Sequence, residues 1–162
     1  MEGKKPVYSP EDPHQRIVLT PEQKEAVQKL LFEIVEAPVA VREREKENVP
    51  KVLENGNPLN RLIFDSEDKI VGFIACRGFI NQRTGDRTLF VHALGSVRNT
   101  GRDLFKEIPA FLEQVKKYGY KEIAFYGWNQ RLNHILERCG FKKDGTRKVE
   151  GYEVDSFKKV LS

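Results

Sequence analysis

Cysteine is scarce in this chain: 162 residues contain two, Cys76 and Cys139. Both sit in apolar patterns far apart in sequence, so they read as buried free thiols of a reducing compartment, the cytoplasm, and not as a disulfide framework. The three histidines, His14, His92 and His134, are widely spread and none has metal-ligand spacing, so no metal site is expected. The longest apolar run, residues 70–76, is far short of the ~20 residues that cross a bilayer. The opening stretch MEGKKPVYSPEDPH lacks the apolar centre of a signal peptide. A dominant charge is missing as well: Lys+Arg number 28 and Asp+Glu 24, a net +4 with the two signs interspersed. That mild excess suits a polyanionic small molecule and argues against a strong nucleic-acid footprint. No P-loop, no Gly-x-Ser-x-Gly elbow and no RNA-recognition aromatic motif is present.

What is present is a globular composition, 39% hydrophobic and 32% charged, in a chain long enough to bury roughly 70% of its unfolded surface without staples. Residues 1–16, polar and carrying Pro6, Pro10 and Pro13, read as an arm either laid on the surface or partly mobile. Residues 17–162 read as a single domain. Ile17-Val18-Leu19 has the composition of a short strand. Thr20-Pro21-Glu22-Gln23 is a capping box that opens a helix with Val27, Leu30, Leu31, Ile34 and Val35 on one face, stopped by Pro38. Residues 40–54 read as a highly charged helix kinked or broken at Pro50, its apolar face being Val41, Val49, Val52 and Leu53.

From residue 59 the period changes to that of strands. Residues 61–64 and 70–77 flank the turn Asp65-Ser66-Glu67-Asp68, and a third strand covers 88–94. Leu104, Ile108, Phe111, Val115 and Tyr118 then follow helical spacing. Residues 121–128 read as a buried strand in which Ala124, Tyr126 and Trp128 share a face. Asn129 to Gly140 is a helix with Leu132, Ile135, Leu136 and Cys139 on its apolar side. Two turn signals, Asp144-Gly145 and Glu150-Gly151, divide the tail into two strands. The stretch 88–128 is long enough for a parallel crossover, so the expected architecture is α/β (α+β): a mixed, mostly antiparallel sheet with helices on both faces.

The segment YKEIAFYGWNQRLNHILERCGF, residues 120–141, runs from a strand to an Asn that opens a helix and a Gly-Phe that closes it: Asn129, Gly140 and Phe141. It resembles the C-terminal motif of the GNAT superfamily of acyl-CoA-dependent N-acetyltransferases, and the element order from residue 17 onward resembles the same fold. A second signature of that family, Arg/Gln-x-x-Gly-x-Gly/Ala, is met by Arg98-Asn99-Thr100-Gly101-Arg102-Asp103 at Arg98 and Gly101 but not at Asp103. A helix N-terminus with a glycine and two arginines suits a pyrophosphate, which Asp103 would repel; Asp103 equally favours the helix dipole. Pro109 either kinks this helix or marks its true start, leaving 101–107 as a separate turn.

The resemblance implies acyl transfer from acetyl-CoA or another acyl-CoA to a small-molecule or peptide amine, with no membrane and with a homodimer left open. It implies that the backbone of Ala93 and Leu94 and the side chain of Asn129 hold the pantetheine arm, while Arg98, Asn99, Thr100, Gly101 and Arg102 hold the pyrophosphate. His92, the ionisable side chain of strand 88–94, is the candidate base, against a structural role at the sheet edge. The family's proton-donating Tyr falls at Leu136, which cannot do acid chemistry, and Leu132 stands where a small residue is common. Tyr126 is the candidate proton donor in its place, with Cys139 or a water as alternatives. Trp128 can shape the acyl pocket. The alternating charges of residues 42–47 read as a solvated face. The alternative function is a catalytically degenerate GNAT-fold protein serving as a structural or interaction module, for example in a viral or larger assembly; Asp103, Pro109, Leu132 and Leu136 point that way.

Overall fold

The computed structural model describes the backbone of residues 7–8, 16–96 and 100–161 and the side chains of 16–95 and 108–161. The chain divides into two compact units, Met1–Cys76 with His92–Arg98, and Arg77–Val91 with Asn99–Ser162. Among the described residues, seven strands run in the order β1-β2-β3-β4-β5-β7-β6. They are β1 (Val7–Tyr8), β2 (Arg61–Phe64), β3 (Ile70–Ile80), β4 (Arg87–Ser96), β5 (Glu122–Tyr126), β6 (Lys142–Val149) and β7 (Tyr152–Val160). The helices are α1 (Pro21–Ile34), α2 (Val39–Leu53), α3 (Thr100–Lys117) and α4 (Gln130–Arg138). The β4–β5 pair is parallel across the α3 crossover, while β1–β2, β2–β3, β5–β7 and β6–β7 are antiparallel. The mixed, mostly antiparallel sheet expected from the sequence is therefore present.

In the first unit, α1 opens on the capping box: Thr20 Oγ1 accepts from the Gln23 N–H at 3.1 Å and Gln23 Oε1 from the Thr20 N–H at 3.0 Å. Val27, Leu30 and Leu31 of α1 join Val49, Val52 and Leu53 of α2 and Leu62, Phe73, Ala75 and Ala93 of the strands in one apolar core. Two expectations are corrected here. Residues 17–19 form no strand; the Leu19 N–H is taken instead by Glu54 Oε2 at 2.7 Å, and Ile17 is buried. Pro38 does not stop α1, which ends at Ile34; it is the N-cap residue of α2. Within the N-terminal arm, Val7–Tyr8 is an edge strand paired with Ile63 and Leu62, and the rest of residues 1–15 lies outside the described residues.

The charged helix is not broken at Pro50. A proline removes the N–H that would bond the carbonyl four residues back, here Lys46. Gln28 of α1 supplies the missing donor: its Nε2 lies 3.0 Å from the Lys46 carbonyl oxygen. The α1 side chain thus satisfies the one backbone acceptor that the proline orphans, and α2 continues to Leu53.

In the second unit, α3 likewise runs unbroken through Pro109, which is exposed, so the separate turn over 101–107 does not form. Strand β5 is half-buried, with Ile123 and Phe125 inside and Glu122, Ala124 and Tyr126 partly exposed. The core is aromatic: Phe125 stacks on Phe157 at 5.1 Å and meets Phe141 edge-on at 5.3 Å. Glu150-Gly151 forms the β6–β7 hairpin turn with both residues at positive φ, 52° and 82°. Asp144-Gly145 is not a turn; it is a bulge inside β6, where the pairing shifts between Lys143 and Thr146. Cys76 is buried as expected, but Cys139 is only half-buried at the C-cap of α4.

Replacing Gln28 by Ala should cost about 1 kcal/mol in chemical denaturation, the usual net value of a hydrogen bond. In a Pro50→Ala background the Lys46 carbonyl regains a helical donor, so the same substitution should cost clearly less. Equal costs in both backgrounds would show that Gln28 does not compensate the proline.

Candidate active site

Strand β4 sets the first part of the site. Leu89, Val91 and Ala93 are buried and alternate with the partly exposed Phe90, His92 and Leu94. The His92 side chain is 12% exposed, and its Nδ1 lies 3.8 Å from Oε1 of Glu45. Glu45 belongs to α2 and is itself buried. The other oxygen, Oε2, accepts from Arg44 Nη2 at 2.8 Å and Nε at 3.3 Å, and Asn48 Nδ2 donates to Oε1 at 3.4 Å. Burial alone pushes the Glu45 carboxyl upward, but His92 and Arg44 together outweigh it and hold the group below the ordinary 4.5.

The solvated reading of residues 42–47 therefore fails at one position. Glu43, Arg44 and Glu47 are exposed, but Glu45 stands four residues from both Val41 and Val49 and so falls within the buried stripe of α2. That spacing was the signal available in the sequence, hidden by the alternation of charge around it.

In the second unit, the β4–β5 ladder runs from Thr88↔Glu122 to Val91↔Phe125, and the rest of β4, His92 to Ser96, belongs to the first unit. Tyr126 closes β5 with its ring 4.9 Å from that of Phe90 at an interplanar angle of 67°. Trp128 lies beyond the strand end, so it does not extend the face of Ala124 and Tyr126 as expected. Asn129 caps α4, its Oδ1 accepting from the Leu132 N–H at 3.0 Å. The helix closes in a Schellman turn: the Gly140 N–H reaches the Glu137 carbonyl, the Phe141 N–H reaches that of Leu136, and Gly140 has φ 98°. Leu136 is 2% exposed. Burial pushes the Cys139 thiol up, with the Lys159 charge partly opposing it, and pushes Cys76 up to about 12; neither favours a thiolate.

Arg98 and Asn99 lie outside the described residues. The backbone of Thr100, Gly101 and Arg102 forms the first turn of α3, where helix N–H groups have no partner within the helix. Among the described residues, no helix is long and apolar enough to cross a membrane.

No family model matches this sequence, and no curated protein matches it. Solved structures do. Arylalkylamine N-acetyltransferase 2 from Aedes aegypti superposes with a TM-score of 0.67 at 11% identity, over 96% of this chain and 98% of its own. Arabidopsis thaliana Naa50, solved with the bisubstrate analogue CoA-Ac-MVNAL, gives 0.62 at 16% identity over 90% and 97%. An acetyltransferase of the GNAT family from Listeria monocytogenes gives 0.57 at 15% identity over 88% and 92%. The chain has the GNAT fold.

Because the Glu45 carboxyl is lowered on folding, the folded state binds fewer protons than the unfolded chain below pH 4.5. Its stabilising contribution is complete above that value and is lost as pH falls through the lowered folded one. The melting temperature of the wild type should therefore drop more steeply below about pH 5 than that of Glu45→Gln. Parallel curves would contradict the pairing.

Proposed function

We propose that this chain is an N-acyltransferase that moves an acetyl or short acyl group from acyl-CoA to an amine. The observation that carries the reading is the likeness of nearly the whole chain to acetyltransferases of the GNAT fold. In this reading the first turn of α3, with Thr100, Gly101 and Arg102, joins Arg98 and Asn99 in holding a pyrophosphate by unpaired N–H groups and positive charge. The backbone of Ala93 and Leu94, past the last residue of the β4–β5 ladder, offers hydrogen bonds to a pantetheine arm, and the Asn129 side chain is a further candidate contact.

The bound thioester supplies an activated acyl carbonyl. His92 takes the proton of the attacking amine, and Tyr126 returns one to the leaving sulfur. The acceptor is a small-molecule or peptide amine. This division follows the neighbours, one an arylalkylamine acetyltransferase and one solved with a CoA–peptide conjugate. The chain acts in the cytoplasm, where its two thiols stay reduced.

One observation favours a second reading, a GNAT-fold protein without acetyl transfer that works as an interaction module. Leu136, at the position of the family's proton-donating Tyr, is built into the core.

The two readings separate in a thermal-shift experiment with CoA and acetyl-CoA. The enzyme reading expects stabilisation that Arg98→Glu abolishes, and thiol release when amines or peptide N-termini are added. A protein that melts at the same temperature with every acyl-CoA tried is the interaction module.

A further inference from the structure

We propose that Glu45 is a positioning residue for His92: the α2 carboxylate holds the imidazole with its proton on Nδ1, leaving Nε2 as the basic nitrogen. This rests on the acyltransferase reading, in which His92 is the base. Four observations carry it. Glu45 is the buried acidic residue of a helix whose other acidic side chains are largely exposed. Its two oxygens are divided, Oε2 to Arg44 and Oε1 toward His92 Nδ1 and Asn48. Both the His92 and the Glu45 side chains are nearly closed to water, at 12% and 10% exposure. Nδ1 lies nearest the carboxylate at 3.8 Å, and such contacts are often long before substrate arrives and tighten in the reacting complex.

The chemistry follows from the imidazole itself. A neutral ring carries one N–H, and the nitrogen that bears it is set by the acceptor it faces. A carboxylate facing Nδ1 selects the Nδ1–H form and stands beside the ring when Nε2 accepts a proton. As the amine nitrogen bonds to the acyl carbon, its proton passes through one water to Nε2, which is itself buried. The carbon–sulfur bond breaks, the sulfur takes the Tyr126 proton, and the imidazolium gives its proton to solvent while the phenolate takes one back. Arg44 keeps the carboxylate ionised and fixed, so that Oε1 remains the acceptor.

The test compares wild type, Glu45→Gln, Glu45→Asp and His92→Gln. Long-range proton–nitrogen NMR in mildly alkaline buffer reads the protonated nitrogen of His92, with His92→Gln assigning the signal. The wild type should show Nδ1–H, Glu45→Gln a mixture of both forms, and Glu45→Asp a partial return. In acyl transfer, His92→Gln should lower kcat by about 10²–10⁴-fold, the usual range for a general base. Glu45→Gln should lower it about tenfold or more with KM for acyl-CoA little changed. A wild-type His92 protonated on Nε2, or a Glu45→Gln variant with an unaltered tautomer or kcat, overturns the proposal. If no acyl transfer is found in any variant, the enzyme reading falls. The tautomer result then still shows whether Glu45 sets the state of His92.

Discussion

A carboxylate taken out of water must find compensation, and in this fold Glu45 is where that requirement bites. Removing either partner of such a pair leaves the other charge buried and exposed to the full cost of desolvation. Arg44 reaches it along the same helix, but His92 comes from a different element, so the pair ties the rotation of α2 to the side-chain register of β4. A slip of one residue along β4 would carry His92 to the opposite face and bring Val91 or Ala93 toward the carboxylate. The polar contact thus specifies the same register as the buried set Leu89, Val91 and Ala93.

That arrangement needs α2 to be continuous. Glu45 lies between Val41 and Val49 on the buried stripe, and Val52 and Leu53 anchor the last turn in the core. A helix broken at Pro50 would release that last turn. The Gln28 side chain prevents this by donating to the Lys46 carbonyl, so a neutral amide on α1 stands behind the buried charge on α2. Asn60 closes the far end in the same manner: its Nδ2 donates to the Val52 and Leu53 carbonyls at 2.9 and 3.3 Å, and its Oδ1 accepts from the Cys76 N–H at 2.8 Å. The two amides brace the helix where hydrogen-bond donors run out.

These braces mark the limit of what pattern could reveal. The helices, the hairpins at 65–68 and 150–151 and the parallel crossover were legible because each rests on periodicity or on local turn chemistry. The failures share another cause, a partner distant in sequence. Ile17–Leu19 has strand composition, yet Glu54 captures the Leu19 N–H. Asp144-Gly145 has turn composition, yet the β7 ladder resumes at Thr146 and makes it a bulge. Glu45 looks solvated among its charged neighbours until the stripe spacing is counted. The site residues came from a resemblance, and Glu45, which the resemblance does not mark, was legible only in the stripe spacing of α2.

The turn after β5 shows how structural and chemical duties can share one residue. Asn129 spends its Oδ1 on the α4 cap, which leaves the amide nitrogen as the atom that could serve a pantetheine carbonyl or amide. One turn on, Asn133 is buried, and its Nδ2 donates to the Gly127 carbonyl at 2.9 Å. A flipped amide would set oxygen against oxygen there, so the chemistry fixes the assignment. Its Oδ1 is then a buried acceptor without a hydrogen-bond partner. The same side chain fills the space where a Cβ on Gly127 would stand, with Phe157 on the other flank. The turn at residues 127–129 is therefore held by its own Asn129, as the cap, and by Asn133 of α4, and only a glycine fits at its first position.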